Sequence, residues 1–274
     1  MSVITITRAL YSHGKEIAQH VSEKMGYACI GQEVIEAAAN QYNVPVAKMT
    51  SALERAPSLF GMSADLRRKY IAYFQATLIR YIMKDNIVYH GPAGHILIQG
   101  VSHILKVCIV APMADRILFK TERDGVSEKD ARKSIDKEDK EHREWAKTFY
   151  NIDDSDPSLY DIVLNLGQIS IEDAVRIISE TASAKKFQPM TYSIGCIANI
   201  ELACRVRVAL IDIDPAVNVR AVEGEVFVHT RALEKEKDRR VSEIKDIALK
   251  LPGVTTVEVQ VTEDFLRQIS STYR

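Results

Sequence analysis

Short strand patterns alternate with helical patterns along about two-thirds of the chain. Residues 3–7 (VITIT) form a β-branched run that suits a buried strand, and the helical pattern behind it ends at Gly26. The same order of strand, turn and helix returns at residues 86–97, 103–119 and 160–182. Strands that alternate with helices predict an α/β fold with a mostly parallel sheet flanked by helices.

The pattern changes beyond a linker at residues 182–190. A helical segment is followed by two alternating strands that meet near Glu223-Gly224, then by a second helix and a closing strand. This αββαβ order can bury a small core of its own. The sequence therefore predicts two domains, one over residues 1–182 and a small α+β domain over residues 190–265.

Charge and composition exclude several classes of protein. The 36 Lys and Arg residues balance the 37 Asp and Glu residues, which argues against nucleic acid as a partner. The sequence has no signal-peptide pattern and no apolar run that could span a bilayer, so we expect a cytoplasmic protein that is not an integral membrane protein. The four cysteines lack the spacing of a metal site, which predicts free thiols and no protein-held metal.

Residues 8–16 (RALYSHGKE) join the first strand to its helix and form the first candidate site. The N-terminus of a helix offers backbone N–H groups and a favourable dipole to an anion. Lys15 lies in the first turn, where that dipole repels it unless phosphate oxygens lie between them. The loop therefore predicts a phosphate site, and the open alternative is a helix capped by Ser12 with Lys15 in water.

The same loop matches the phosphate-binding motif G-x-x-x-x-G-K-[ST] only in part. Gly14 and Lys15 fit the motif, whereas Ala9 takes the place of the first glycine. Glu16 replaces the hydroxyl residue that would bind Mg²⁺. The motif alone leaves both interpretations of the loop open.

The chain from residue 3 to about 180 resembles the cytidylate kinase-like family, a branch of the P-loop nucleoside monophosphate kinases. The resemblance rests on the order of five stretches: ITITRALYSHGKEIAQHVSEKMGY, VYHGPAGHIL, KVCIVAPMADRI, SIDKED and DPSLYDIVLNLGQISIEDAVRII. It implies a P-loop kinase-like sheet and an enzyme that transfers the γ-phosphoryl group of ATP to a nucleoside monophosphate such as CMP. Mg²⁺ would bridge the phosphates.

The resemblance also assigns roles to individual residues. Phosphate binding falls on Arg8, Ser12, His13, Gly14, Lys15 and Glu16. Stabilisation of the transferred group falls on Lys15, Arg116 and Arg123. Lid charge falls on Lys137, Lys140 and Arg143. For Arg116 the open alternative is an ion pair with Asp115 or Glu122.

Several positions depart from the family pattern. Tyr11 and His13 stand where the family commonly has glycines, and Gly31 stands where it usually has an aspartate. Pro92 and Asp139 replace two arginines, and arginines of this kind clamp phosphates in such enzymes. Two alternatives to a nucleoside monophosphate kinase follow: a regulator without turnover, and a kinase that acts on a different small molecule.

Residues 190–265 resemble a BON domain. The resemblance rests on the V-x-G-x-V turn at residues 222–226 and on P-G-V-x-x-V at residues 252–257. It implies an interaction module that binds a lipid, a small molecule or a protein partner. No group of catalytic residue types stands out in this segment.

Overall fold

The computed structural model describes residues 2–8, 11–55 and 61–263, apart from the side chains of Arg8 and Glu263. Its larger sheet has five strands in the order β2-β3-β1-β4-β5, and every neighbouring pair is parallel. The strands are β1 (Val3–Arg8), β2 (Ala28–Ile30), β3 (Ile87–Tyr89), β4 (Ile104–Val110) and β5 (Ile162–Asn165). The predicted α/β fold is confirmed.

Helices cover both faces of this sheet. They are α1 (Gly14–Met25), α2 (Gln32–Gln41), α3 (Val46–Glu54), α4 (Ala64–Ile82), α5 (Gly94–Leu97), α6 (Met113–Asp124), α7 (Glu128–Tyr150) and α8 (Ile171–Ala182). Side chains alternate between the faces of a strand. Ile4 and Ile6 of β1 therefore join the core beneath α1 and α8, whereas Val3 joins the core beneath α2 and α4.

Local signals in the sequence fix several helix ends. Gly26 adopts a left-handed φ of 69° and ends α1, as expected for a glycine at that position. The hydroxyl of Ser170 accepts a hydrogen bond from the backbone N–H of Asp173 at 3.1 Å and so caps the start of α8.

The C-terminal unit has the predicted αββαβ order. It comprises α9 (Thr191–Leu210), β6 (Asn218–Val222), β7 (Glu225–Ala232), α10 (Lys237–Ala248) and β8 (Thr256–Glu263). β6 and β7 pair antiparallel around Glu223 and Gly224, whose φ angles of 50° and 90° suit a tight hairpin turn. β8 adds to β7 in parallel.

The two units meet where α9 packs on α4. Their buried side chains belong to one continuous hydrophobic cluster. Arg207 of α9 donates a hydrogen bond to Gln75 of α4 at 3.2 Å, and Lys69 pairs with Asp212. The domain boundary at residues 182–190 therefore separates units that share a core, and their independent folding stays a prediction.

Two expectations from composition concern cysteines and membranes. All four cysteines are unpaired, with Cys204 buried and the other three half-buried. Among the helices of the described ranges, none combines the length and apolar character that a bilayer crossing needs.

Candidate functional site

A cavity of about 880 Å³ opens over one face of the larger sheet, at the carboxyl ends of its strands. Thr7 of β1, Cys108 of β4 and Val163 of β5 line its floor. One wall is α7, and further walls come from α2, α3 and the segment after β3. Open α/β sheets bind ligands at this edge, and the volume suits a small molecule.

Lys15 connects this cavity to the phosphate loop. It lies in the first turn of α1 and lines the cavity. The first N–H groups of a helix have no partner within the helix, so this helix end combines a cation with donors for an anion. The loop is therefore placed as the sequence predicts, and phosphate binding there stays a prediction.

Two residues of the loop adopt a backbone conformation that normally needs glycine. Tyr11 and His13 both lie in the left-handed region, with φ angles of 63° and 55°. Each such residue costs roughly 1–2 kcal/mol, which neighbouring contacts must offset. His13 is the residue that precedes α1, and no side chain caps the helix. The interpretation of Ser12 as the cap is therefore wrong, because its hydroxyl instead lies 3.4 Å from the carbonyl oxygen of Ile109.

Cations hold Tyr11 in place. The Lys120 ammonium donates to the Tyr11 hydroxyl at 2.6 Å and lies 4.1 Å from the ring centroid. The Arg123 guanidinium lies 4.8 Å from the same centroid and bonds Asp124 at 2.7 Å. Hydrogen bonds from Arg123 and Lys120 lower the pKa of Asp124 to about 2. Sequence reasoning found Arg123 but missed Lys120, which only the tertiary contact reveals.

His13 and Glu16 bond each other. The Nδ1 atom of His13 lies 2.9 Å from Oε2 of Glu16, and its ring packs 4.3 Å from that of Phe119. Both residues thus have protein partners in this structure, and neither lines the cavity.

Arg116 forms a bidentate ion pair across two helices. Its guanidinium donates to both carboxylate oxygens of Asp139 on α7, at 2.7 and 2.9 Å. The Arg116 side chain is only 7% exposed. The alternative pairing with Asp115 or Glu122 is therefore wrong. The family resemblance assigns Arg116 to the transferred phosphoryl group. In this structure Arg116 instead binds Asp139, the residue that replaces the arginine of the family's lid helix.

The predicted lid residues divide into two groups. Lys137 and Arg143 line the cavity from α7, whereas Lys140 is exposed and lies 3.8 Å from Glu144. The Arg8 side chain is outside the described residues. α7 therefore brings two of its three predicted cations to the site.

Two departures from the family pattern occur at one place. A Cβ on Gly31 would lie 2.7 Å from Nε2 of the His90 ring, closer than real contacts allow. His90 and Pro92 both line the cavity. An aspartate at position 31 is therefore incompatible with His90 where it now lies. The sequence singled out Gly31 and Pro92 but not His90. Neither Gly31 nor Pro92 indicates that a histidine ring lies close to residue 31.

A chain of polar groups crosses the cavity floor. His95 on α5 is buried, with Nδ1 2.8 Å from the Thr7 hydroxyl and Nε2 3.2 Å from the Tyr160 hydroxyl. Tyr160 donates to the backbone oxygen of Asp154 at 2.8 Å. The side-chain carboxylate of Asp154 lies 2.5 Å from Nδ1 of His142 on α7. Since Tyr160 gives its proton to Asp154, it accepts from His95, which fixes the neutral His95 tautomer with Nε2 protonated.

His95 makes stability depend on pH. Burial lowers its pKa from 6.5 to about 4, so the folded protein keeps it neutral where the unfolded chain protonates it. We expect the free energy of unfolding to fall as pH drops from 6.5 to 4, by up to about 1.4 kcal/mol per pH unit. Urea titrations of wild type and His95→Gln across this range check the prediction. An equal slope in both proteins would contradict it.

The cavity thiol is not an obvious nucleophile. Burial raises the pKa of Cys108 to about 11, so the thiol stays protonated at neutral pH. Among the described residues, no trio of His, Cys, Asp or Glu is arranged to hold a metal ion.

Known proteins resemble the chain in sequence and fold. A model of the cytidylate kinase-like family matches residues 3–168. A cytidylate kinase from Methanoregula boonei is 26% identical over 196 residues, which cover 69% of this chain and 99% of the relative. One from Sulfolobus acidocaldarius is 32% identical over 102 residues, covering 37% and 56%. An uncharacterized protein from Eubacterium ventriosum has a crystal structure that matches with a TM-score of 0.52 at 18% identity, covering 68% of this chain and all of that one.

Proposed function

The chain belongs to the cytidylate kinase-like family, and we propose from this premise that it moves the γ-phosphoryl group of ATP to a small acceptor. Nucleoside monophosphates, and CMP first, are the acceptor class that the names of its relatives suggest. One observation carries the proposal: Lys15 lines the large cavity from the N-terminus of a helix that follows a parallel strand.

The donor nucleotide would lie along the loop. Backbone N–H groups at residues 11–15 would bind its phosphates, and Lys15 would neutralise the charge that develops during transfer. Mg²⁺ bound with the nucleotide would supply positive charge that offsets the charge of the phosphates. Glu16, which stands in place of the hydroxyl of the usual motif, is bonded to His13 and does not line the cavity, so we assign it no role in holding the ion.

The acceptor would lie between α7 and the side of the cavity near α2 and α3. Gln32, Glu54, Arg55 and His90 line that side. Lys137 and Arg143 face the cavity from α7, where they would approach the transferred group. Holding donor and acceptor in one cavity makes the transfer effectively unimolecular.

The test is a calorimetric titration of the full chain with Mg·ATP. Wild type should bind saturably, and Lys15→Ala should weaken binding by about 10- to 100-fold, as expected for loss of a charged hydrogen bond. Lys140→Ala is the matched control, because it removes a lysine that is exposed and does not line the cavity. ADP formation is then followed with CMP, other nucleoside monophosphates and small alcohols. Absence of saturable binding to wild type would contradict the proposal.

The second candidate function is a nucleotide-binding regulator without turnover. The Arg116–Asp139 ion pair favours this regulator, because Asp139 engages an arginine that phosphoryl transfer would need. In that function the BON-like unit at residues 190–265 would bind a lipid, a small molecule or a protein partner. Saturable Mg·ATP binding without ADP formation for any acceptor would select this candidate.

A further inference from the structure

An imidazole and a carboxylate face the cavity as a pair. His142 lies on α7, one turn beyond Asp139, and Asp154 lies in the segment that follows the helix. Nδ1 of His142 is 2.5 Å from Oδ2 of Asp154, and both residues line the cavity. The proposed kinase function uses neither residue.

The pair is held by its surroundings. The His142 ring lies 6.5 Å from that of Trp145 at an interplanar angle of 20°. Asp154 is anchored through its backbone oxygen by Tyr160. Nδ1 is committed to Asp154, which leaves Nε2 as the ring nitrogen that can take part in chemistry. The His142 side chain is 29% exposed, so ligands can reach it.

One carboxylate oxygen of Asp154 has no hydrogen-bond partner among the described residues. The Asp154 side chain is only 10% exposed, and this oxygen, Oδ1, is buried. A buried carboxylate oxygen without a donor is costly, so a positive charge on the neighbouring imidazole would stabilise it. This arrangement places beside His142 a carboxylate that can stabilise an imidazolium during a reaction.

We propose that His142 and Asp154 form a catalytic dyad that accepts the proton of an acceptor hydroxyl, so that the acceptor is an alcohol. The proposal rests on the kinase function above and replaces the nucleoside monophosphate that the relatives' names suggest with an alcohol as the acceptor. The acceptor oxygen would form a bond to the γ-phosphorus of ATP, and the bond from that phosphorus to the bridging oxygen would break, with its electrons leaving on ADP. The hydroxyl proton would pass to Nε2 of His142, and Asp154 would stabilise the imidazolium.

Arg55, Lys137 and Arg143 also line the cavity, but the carboxylate of Asp154 favours an alcohol over a phosphate as the acceptor beside His142. A phosphate monoester has a second pKa near 6, so at neutral pH it has little proton to give and carries nearly two negative charges. Asp154 would repel such a dianion, and Arg116 is already held by Asp139. A neutral hydroxyl meets neither obstacle and has a proton that a base must remove.

Other titratable groups surround the dyad and bear on its pH dependence. On α7 these are Glu138, Glu141 and Arg143; on α3 and just beyond it they are Glu54 and Arg55; behind Tyr160 it is His95. The variants in the test must therefore change the dyad and leave these groups in place.

The first experiment measures slow ATP hydrolysis by the full chain, with water as the probe acceptor. In His142→Asn the amide nitrogen can still donate to Asp154, but the second ring nitrogen is gone. We expect hydrolysis per bound ATP to fall about 100-fold, the lower end for loss of a general base, and Mg·ATP affinity to stay within about twofold. Added imidazole should restore activity to His142→Ala, a rescue that a merely structural role would not produce.

The pH profile separates the dyad from the proposed kinase function. The wild-type hydrolysis rate should depend on pH, and His142→Asn should lose that dependence. Failure of wild type to bind Mg·ATP would overturn the kinase function itself. Binding with equal hydrolysis rates in wild type and His142→Asn would overturn the dyad and leave the kinase function intact. Turnover of CMP that His142→Asn does not slow would also overturn it.

Discussion

Replacing Trp145 with alanine is expected to lower the free energy of unfolding by about 3–5 kcal/mol. The indole is fully buried and packs 5.5 Å from the Tyr150 ring and 6.1 Å from the Phe149 ring. Its Nε1 atom donates to the backbone oxygen of Ala52 at 2.8 Å, which ties α7 to α3. The substitution would remove these ring contacts and leave a cavity in the core. It would also break the hydrogen bond that joins α7 to α3, two of the helices that line the site.

Urea denaturation followed by circular dichroism measures this effect, because Trp145 is the only tryptophan and its fluorescence disappears with it. Trp145→Phe is the matched variant. It keeps an aromatic ring but loses the hydrogen bond to Ala52, so we expect a smaller loss of about 1–2 kcal/mol. A loss below about 1 kcal/mol for the alanine variant would refute the assigned role.

Replacing Asp139 with alanine is expected to lower the free energy of unfolding by about 3 kcal/mol. Arg116 is buried and would lose both charged hydrogen bonds to that carboxylate. Because the Asp139 side chain is 20% exposed, the loss should fall at the low end for a buried pair. The same substitution should tighten Mg·ATP binding about tenfold, since it removes a negative charge from the cavity and makes Arg116 available to phosphate.

Asp136→Ala is the matched control. It removes the same charge from the same helix, but Asp136 is exposed and lies outside the cavity. Denaturation and calorimetric titration of both variants should show a change only for Asp139. Unchanged or weaker Mg·ATP binding by Asp139→Ala would mean that Arg116 does not reach the nucleotide.

The fold could be predicted largely because its signals are local. The strand patterns at residues 3–7 and 86–97 place two neighbouring parallel strands, and the cap at Ser170 marks a helix start. Each signal lies within a few residues, where the rules for strands and caps operate. The order of the five strands was not predicted, since alternation alone does not fix it.

The site could be predicted only in part. The position of Lys15 followed from the loop sequence, whereas the Arg116–Asp139 pair joins two helices that nothing in either segment relates. The polar chain from Thr7 through His95 to Tyr160 likewise joins segments far apart in sequence. Such contacts depend on how helices pack over the sheet, and local patterns do not specify that packing.

The loop shows a third limit. Its sequence lacks the glycines that usually permit a left-handed backbone, yet Tyr11 and His13 adopt that conformation. Contacts with Lys120 and Phe119 on α6 accompany it. A motif comparison located the loop, but tertiary contacts decide its shape.

The amide of Gln75 has a consequence for how this protein can be divided. Its oxygen accepts from Arg207 on α9, and its nitrogen donates to the backbone oxygen of Leu97 at the end of α5. The apolar side of α4 around it is covered by α9. A shortened chain that stops after α8 would expose the apolar side of α4 to water. The side-chain oxygen of Gln75 would also lose its hydrogen bond from Arg207. We therefore expect that such a shortened chain would need polar substitutions on α4 to stay in solution.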